Sequence, residues 1–229
     1  MLPLVMEVER SVAAALEAAV SRRDRVRLSI PQALTSLFTE ALPQLRLDHP
    51  EIAVEIIGAN RPPDLKRGNV DVCVAVRAGV DKDLVQRSLG QVGWSLYGSE
   101  GYLARWPGSI DPNDLSGHDV VALNADSKAA PAAKWLAEHA QNATIVARSN
   151  ASAALVGATV AGAGLALLPC FLAEQEPKLR RLTPEVLTSH PVWLVYRREV
   201  RIAQPVRHVI RFVVDVMRRH AGRLRGACA

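Results

Sequence analysis

The chain has 229 residues, 49% of them apolar and 22% charged, with a formal net charge of +5 and a pI near 9.4. That is ordinary globular composition with enough length for one large core or two smaller ones. It excludes a membrane-spanning helix, which needs about 20 continuous apolar residues, because the longest apolar stretch, residues 151–168, is broken by Gly157, Gly162 and Gly164. The basic balance does not mark a nucleic-acid surface. Aromatics are only 4% and do not interleave with the basic residues. The two basic clusters, Arg22, Arg23, Arg25 and Arg27 and then Arg218, Arg219, Arg223 and Arg225, read as solvated ends.

Residues 5–20 carry Val8, Val12, Ala15, Leu16 and Ala19 at helical spacing and predict a helix ahead of the globular body. Glu7 and Glu9 break any secretory pattern, so the expected location is the cytoplasm. From residue 26 the pattern alternates. Residues 26–30 predict a strand, and Pro31 suits a first helical turn. An amphipathic helix is expected over 35–47 (Leu37, Phe38, Ala41, Leu42 and Leu45 inward), a strand over 52–57, and a short helix over 62–67 ended by Gly68. The apolar run 70–76 predicts a strand buried on both faces. Strand–helix–strand order implies parallel pairing with right-handed crossovers.

A second set follows: strands over 92–97, 120–123, 143–147 and 165–168, with helices from 101, over 132–139 and over 151–161. A last strand, 192–196, precedes a long helix over 204–219 with Val206, Val209, Ile210, Val213, Val214 and Met217 inward. Two α/β sets and a returning strand and helix fit two lobes with chain crossings near 94–98 and 191–195. The predicted division is residues 25–94 with 195–221, and residues 95–194. Residues 1–24 read as the end of a leading helix and 222–229 as a flexible basic tail.

Catalytic patterns are absent from the sequence. The six histidines form no HxxxH or HExxH, there is no GxSxG and no P-loop, and Gly162-Ala163-Gly164 follows a helix rather than a strand. It reads as a helix stop with close backbone packing. Cys73, Cys170 and Cys228 match no zinc spacing. Neither an enzyme nor a metal or cofactor site is expected.

Six segments, in this order, resemble the effector-binding domain of LysR-type transcriptional regulators: RVRLSIPQALTSLFTEALPQLRLDHPEIAVEI, DLKRGNVDVCVAVRAG, SLYGSEGYLAR, DPNDLSGHDVV, VAGAGLALLPCFLA and HPVWLVYRRE. They cover roughly residues 25–219. The resemblance implies a two-lobed periplasmic-binding-protein-like (type 2) α/β fold, two Rossmann-like subdomains joined by two crossover strands. It implies an effector sensor that modulates DNA binding and transcription by a full-length parent, assembled as a homodimer or tetramer. DNA would be reached only through a winged helix-turn-helix outside these residues, with residues 1–24 as a remnant of the linker helix. A transport-type solute-binding protein and a thiol-based redox regulator are the alternatives.

A small organic effector, anionic by expectation, would bind between the lobes, where helix amino ends offer unpaired N–H groups. Three ends are candidates: after Ile30, after Asn60 and after Asn150. The first places Gln32 where the family stretch offers a hydroxyl, with Thr35 beside it. The second offers Asn60 and Arg61, a guanidinium suited to a carboxylate. Arg77 ends the next strand. Asn124, Asn150 and Ser152 come from the other lobe, with Asn150 also a candidate helix cap. Ser99, beside a crossing point, is the candidate hinge.

Overall fold

The structure, a computed structural model, describes residues 25–59, 63–77, 81–106, 108, 110–124 and 130–226. The expected leading helix over 5–20 lies outside them. The first lobe opens with β1 (Arg25–Ile30), a 3-10 turn (Gln32–Leu34), α1 (Thr35–Asp48), β2 (Ala53–Gly58) and β3 (Val72–Ala75). The chain then runs through β4 (Leu84–Ser99) into α2 (Glu100–Leu103), β5 (Asp119–Leu123), α3 (Pro131–His139), β6 (Thr144–Ser149), α4 (Ser152–Val160) and β7 (Leu165–Pro169). It continues through α5 (Cys170–Ala173) and β8 (Leu179–Arg181), and returns along β9 (Thr188–Arg197) to α6 (Gln204–Arg219) and α7 (Ala221–Leu224).

Eight strands follow one another as β2-β1-β3-β9-β4-β7-β5-β6, with β8 paired to β4. The order is the same motif used twice. In one half the second strand lies beside the first and the third on its other side (β2-β1-β3), all parallel, and an antiparallel strand, β9, follows. In the other half β6-β5-β7 repeats the arrangement and β4 is the antiparallel strand. The two antiparallel strands are the crossovers, and they pair with each other from Leu84↔Arg197 to Trp94↔Thr188. This is the two-lobed, type 2 periplasmic-binding-like architecture.

Apolar alternation explains most of these elements. Val72, Cys73, Val74 and Ala75 are all buried, as a strand covered on both faces requires. α6 buries Val206, Val209, Val213, Val216 and Met217 at i, i+3, i+4 spacing. Phe212 meets Phe38 of α1 edge-to-face at 6.2 Å, which fixes α6 on the first lobe.

Four sequence expectations differ from what is observed. The short helix expected over 62–67 is a 3-10 turn, Leu65–Arg67, whose start is capped by Asp64 accepting from the Lys66 N–H at 3.0 Å. The crossover strand begins at Leu84, eight residues before the expected start at 92, because its first half is polar and partly exposed and pairs with β9. The expected strand over 192–196 likewise begins at Thr188. The tail expected from residue 222 is ordered through Gly226: Leu224 is buried, and the Gly226 backbone, at φ +71°, lies against Cys170. A methyl group at Gly226 would stand 2.7 Å from the Cys170 sulfur.

Candidate functional site

In doubly wound sheets, ligands bind beyond the carboxyl ends of the strands, where strand order reverses. Here that point occurs twice, between β1 and β3 and between β5 and β7. Gln32 and Thr35 follow β1, Arg77 follows β3 and Asn124 follows β5, so the sequence candidates lie at these ends.

On the first lobe Gln32 and Thr35 come together with Gly58 at the end of β2. A methyl group at Gly58 would lie 3.5 Å from the Gln32 Cγ and 3.7 Å from the Thr35 Oγ1. The Thr35 hydroxyl oxygen is buried with no hydrogen-bond partner among the described residues. The Ala59 N–H donates to the Ile30 carbonyl at 2.9 Å, which holds the end of β2 against the loop that carries Gln32. Arg77 is exposed. Asn60 and Arg61 lie outside the described residues.

On the second lobe the Asn124 N–H donates to the Ser149 carbonyl at 3.1 Å, joining the ends of β5 and β6. The Ser149 hydroxyl accepts from the Ala151 N–H at 3.1 Å. The residue preceding α4 is Ala151, which makes no side-chain cap, and Asn150, the expected cap, is exposed one residue before it. Ser152 is half-buried at the first turn. Of the three helix ends expected at the groove, the first is the 3-10 turn before α1 and the second begins at Asp64. α1 then starts as a full α-helix at Thr35, and α4 at Ser152, within a residue of the expected positions.

Between the lobes lies a cavity of about 410 Å³, within the range of small-molecule pockets. Gln32, Ala33 and Ser36 form one wall. Ala153, Val156, Gly157 and Val160, one face of α4, form another. Leu172, Gln175 and Glu176, in and just after α5, complete it. Of these residues only Gln32 is a candidate from the sequence. The α4 face was legible in principle as small and apolar positions at i, i+3, i+4 and i+7. Nothing in the sequence marked the α5 residues, which reach the groove only because β7 ends there. A methyl group at Gly157 would meet nothing within 4 Å, so this glycine opens onto free space.

The crossovers carry their own polar rung. His190 of β9 stacks on Trp94 of β4 with centroids 4.6 Å apart, and its Nε2 accepts from the Ala132 N–H of α3 at 3.1 Å. Burial pushes the imidazole down to about 4, so it is neutral at pH 7 and the accepting nitrogen is unprotonated. Ser99, the expected hinge, is buried at the end of β4, and its hydroxyl caps α2 by accepting from the Tyr102 N–H at 3.3 Å.

Neither of the two described thiols has a reactive setting. Cys73 and Cys170 are buried, burial raises both, and Cys73 reaches about 11, whereas a reactive cysteine needs an exposed, stabilised thiolate. Cys228 lies outside the described residues. Among the described residues no group of three or more His, Cys, Asp or Glu side chains is placed to hold a metal, and no helix is long and apolar enough to cross a membrane.

Comparison with known proteins places these features. A family model described as the LysR substrate binding domain matches residues 20–218. An HTH-type transcriptional regulator of Xanthomonas campestris pv. campestris is 27% identical over 180 residues, covering 75% of this chain and 52% of its own length. The uncharacterized HTH-type transcriptional regulator YhjC of Escherichia coli is 23% identical over 217 residues, covering 88% of this chain and 71% of its own length. The chain therefore spans about half the length of the first relative. Among solved structures, the regulatory domain of CrgA, a LysR-type regulator from Neisseria meningitidis, superposes with a TM-score of 0.72 at 18% identity, covering 84% of this chain and 98% of that one. The effector domain of AmpR from Pseudomonas aeruginosa gives 0.68 at 17% identity, covering 86% and 96%.

Proposed function

The chain belongs to the LysR substrate-binding domain family, and from that premise we propose that it senses a small organic effector held between its lobes. Occupancy would favour a more closed arrangement, pivoting on β4 and β9 with Ser99 at the end of β4. In the whole regulator this would reposition DNA-binding heads carried by another part of the protein and so alter transcription. The domain itself performs no catalysis in this reading, and the regulator acts in the cytoplasm. Its lobes would correspond to residues 25–94 with 195–221, and 95–194.

The single observation that carries the proposal is the cavity of about 410 Å³ between Gln32–Ser36 on one lobe and the α4 face on the other. A guest there touches both halves, so it can bind one arrangement better than the other, which is the condition for any switch. Gln32, Thr35, Asn124, Asn150 and Ser152 would contribute polar contacts. An anionic effector, the expectation from sequence, would have to be held by Arg61, Arg77 and the amino end of α4, since the described cavity wall bears no basic side chain.

A thermal-shift screen of small organic acids, amides and amines tests the proposal, since a ligand that binds only the folded state raises Tm by mass action. Gln32→Ala is expected to reduce the shift. Gly157→Leu, which projects a bulky side chain into the cavity, is expected to reduce it further. A compound that shifts both variants as much as the parent protein binds elsewhere and removes this site assignment. Assembly is proposed as an antiparallel dimer, or a pair of such dimers, that sets α1 of one copy against the α4 region of another.

A further inference from the structure

We infer that the effector groove selects a guest carrying a protonated amine or a neutral amide and discriminates against a free carboxylate; this rests on the reading of the groove as the effector site. Among the described residues, the polar side chains lining the cavity are Gln32, Ser36, Gln175 and Glu176, and none is basic. Glu176 is half-buried. Of the basic residues that follow it in sequence, Arg180 pairs with Glu100 and Arg181 with Glu174 at 3.3 Å, while Lys178 is exposed and lines a different pocket beside Ser99 and Gly162. Glu176 is also held in place: its N–H donates to the Ala173 carbonyl at 3.1 Å, and its own carbonyl accepts from the Leu179 N–H at 3.0 Å.

Gln175 adds to the same bias. Its amide nitrogen donates to the Phe171 carbonyl at 2.7 Å, so its oxygen is the group better placed to meet a guest. The remaining wall, Ala33, Ala153, Val156, Val160 and Leu172, is hydrocarbon and suits an apolar body. α4 runs along the cavity as far as Val160 at its carboxyl end, where the helix dipole is negative. A carboxylate brought beside Glu176 in a partly desolvated space meets like charge, whereas an ammonium supplies the partner that Glu176 lacks among the described ion pairs.

The test uses three probes of one shape and different charge, benzylamine, benzamide and benzoate, titrated calorimetrically into the whole chain at pH 7. Benzylamine is expected to bind at least about ten-fold more tightly than benzoate, about 1.4 kcal/mol. Glu176→Gln is expected to remove that preference while leaving benzamide affinity within about two-fold. Gly157→Leu is expected to weaken binding of all three. Benzoate binding as tightly as benzylamine overturns the charge selection, and so does a preference that survives Glu176→Gln. If that benzoate binding is weakened by Gly157→Leu, the groove remains the effector site and only the selection falls. If no probe binds, or if Gly157→Leu changes nothing, both readings fall together.

Discussion

Two glycines show how one residue type carries opposite instructions. Gly164 precedes β7 with its Cα against the backbone of Asp119; a methyl group there would stand 2.5 Å from the Asp119 carbonyl oxygen. Backbone cannot move aside as a side chain can, so Gly164→Ala is expected to destabilise the chain by about 1–3 kcal/mol in urea unfolding. Gly157 faces open space in the middle of α4, and replacing glycine inside a helix gains up to about 1 kcal/mol of propensity. Gly157→Leu is therefore expected to unfold no earlier than the parent protein even as it narrows the groove, and a lower Tm would contradict the open space assigned to it. The sequence announced the first of these. A helix followed by Gly162-Ala163-Gly164 reads as a stop with close packing, and Gly162 adopts φ +81° with its N–H donating to the Thr159 carbonyl at 3.0 Å. It did not announce the second, because an exposed glycine within a small-residue helix has no local signature of a cavity.

His190 makes a prediction in pH. Its folded value lies near 4 against an ordinary 6.5, so the unfolded chain binds the proton more readily. The stability it contributes is complete above pH 6.5 and is lost as pH falls from about 6.5 towards 4. The full loss is about 3 kcal/mol at 1.36 kcal/mol per pH unit. Burial is the cause, and protonation at Nε2 would also break the hydrogen bond that it accepts from the Ala132 N–H. His118, His208 and His220 are also lowered, so the diagnostic is a difference. His190→Phe keeps an aromatic ring on Trp94 but has no proton to gain. Its stability at pH 7 should be lower for want of the acceptor, and its loss between pH 6.5 and 4.5 should be shallower than that of the parent protein. Parallel pH profiles for the two would show that His190 does not titrate as its burial requires.

At the scale of elements, the legible ones were those that bury a repeating face. α1, α6, β1, β3 and β7 follow from apolar spacing alone, within the usual slippage of their ends. The crossover β4 was only half legible: residues 84–91 are partly exposed and earn their extended form from pairing with β9, a partner about 100 residues away in sequence. Of the residues that line the groove, only Gln32, just after the end of β1, is a candidate from the sequence. The site was not legible where it depends on the α5 turn, which tertiary structure alone carries to the groove.

The same limitation hid α7. A basic stretch that reads as a solvated tail contains Leu224, whose burial against the body outweighs its charged neighbours. Arg181 adds a tie, its Nη1 donating to the Gly226 carbonyl at 3.0 Å. Ending the chain at His220 is therefore expected to cost about 2 kcal/mol or more, one buried leucine plus the exposure of the surface it covers. A truncated protein with an unchanged denaturation midpoint would restore the tail reading.

At the scale of the whole molecule, the repeated strand order has a consequence for assembly. A sheet that ends in β2 on one lobe and β6 on the other presents two different edges, and a two-fold arrangement of two copies can set unlike lobes together without leaving either pairing open-ended. The proposed dimer places α1 of one copy near the α4 region of its partner. Two large apolar side chains stand exposed on or just before these elements: Leu47, 78% exposed near the end of α1, and Val146, 45% exposed on β6, the strand that precedes α4. A two-fold interface uses each position twice, so a single charged substitution is felt twice. Leu47→Glu and Val146→Glu are each expected to raise the dimer dissociation constant at least about ten-fold, or 1.4 kcal/mol, in sedimentation velocity. Ile202 is the control. It is 80% exposed, as apolar as the other two, but lies in the 3-10 turn Arg198–Ile202, outside both elements. Ile202→Glu should leave the dissociation constant unchanged. If it weakens assembly as much as the other two, general surface hydrophobicity rather than this pairing of lobes holds the copies together. If the parent chain sediments as a monomer at high concentration, the pairing does not form through these residues at all.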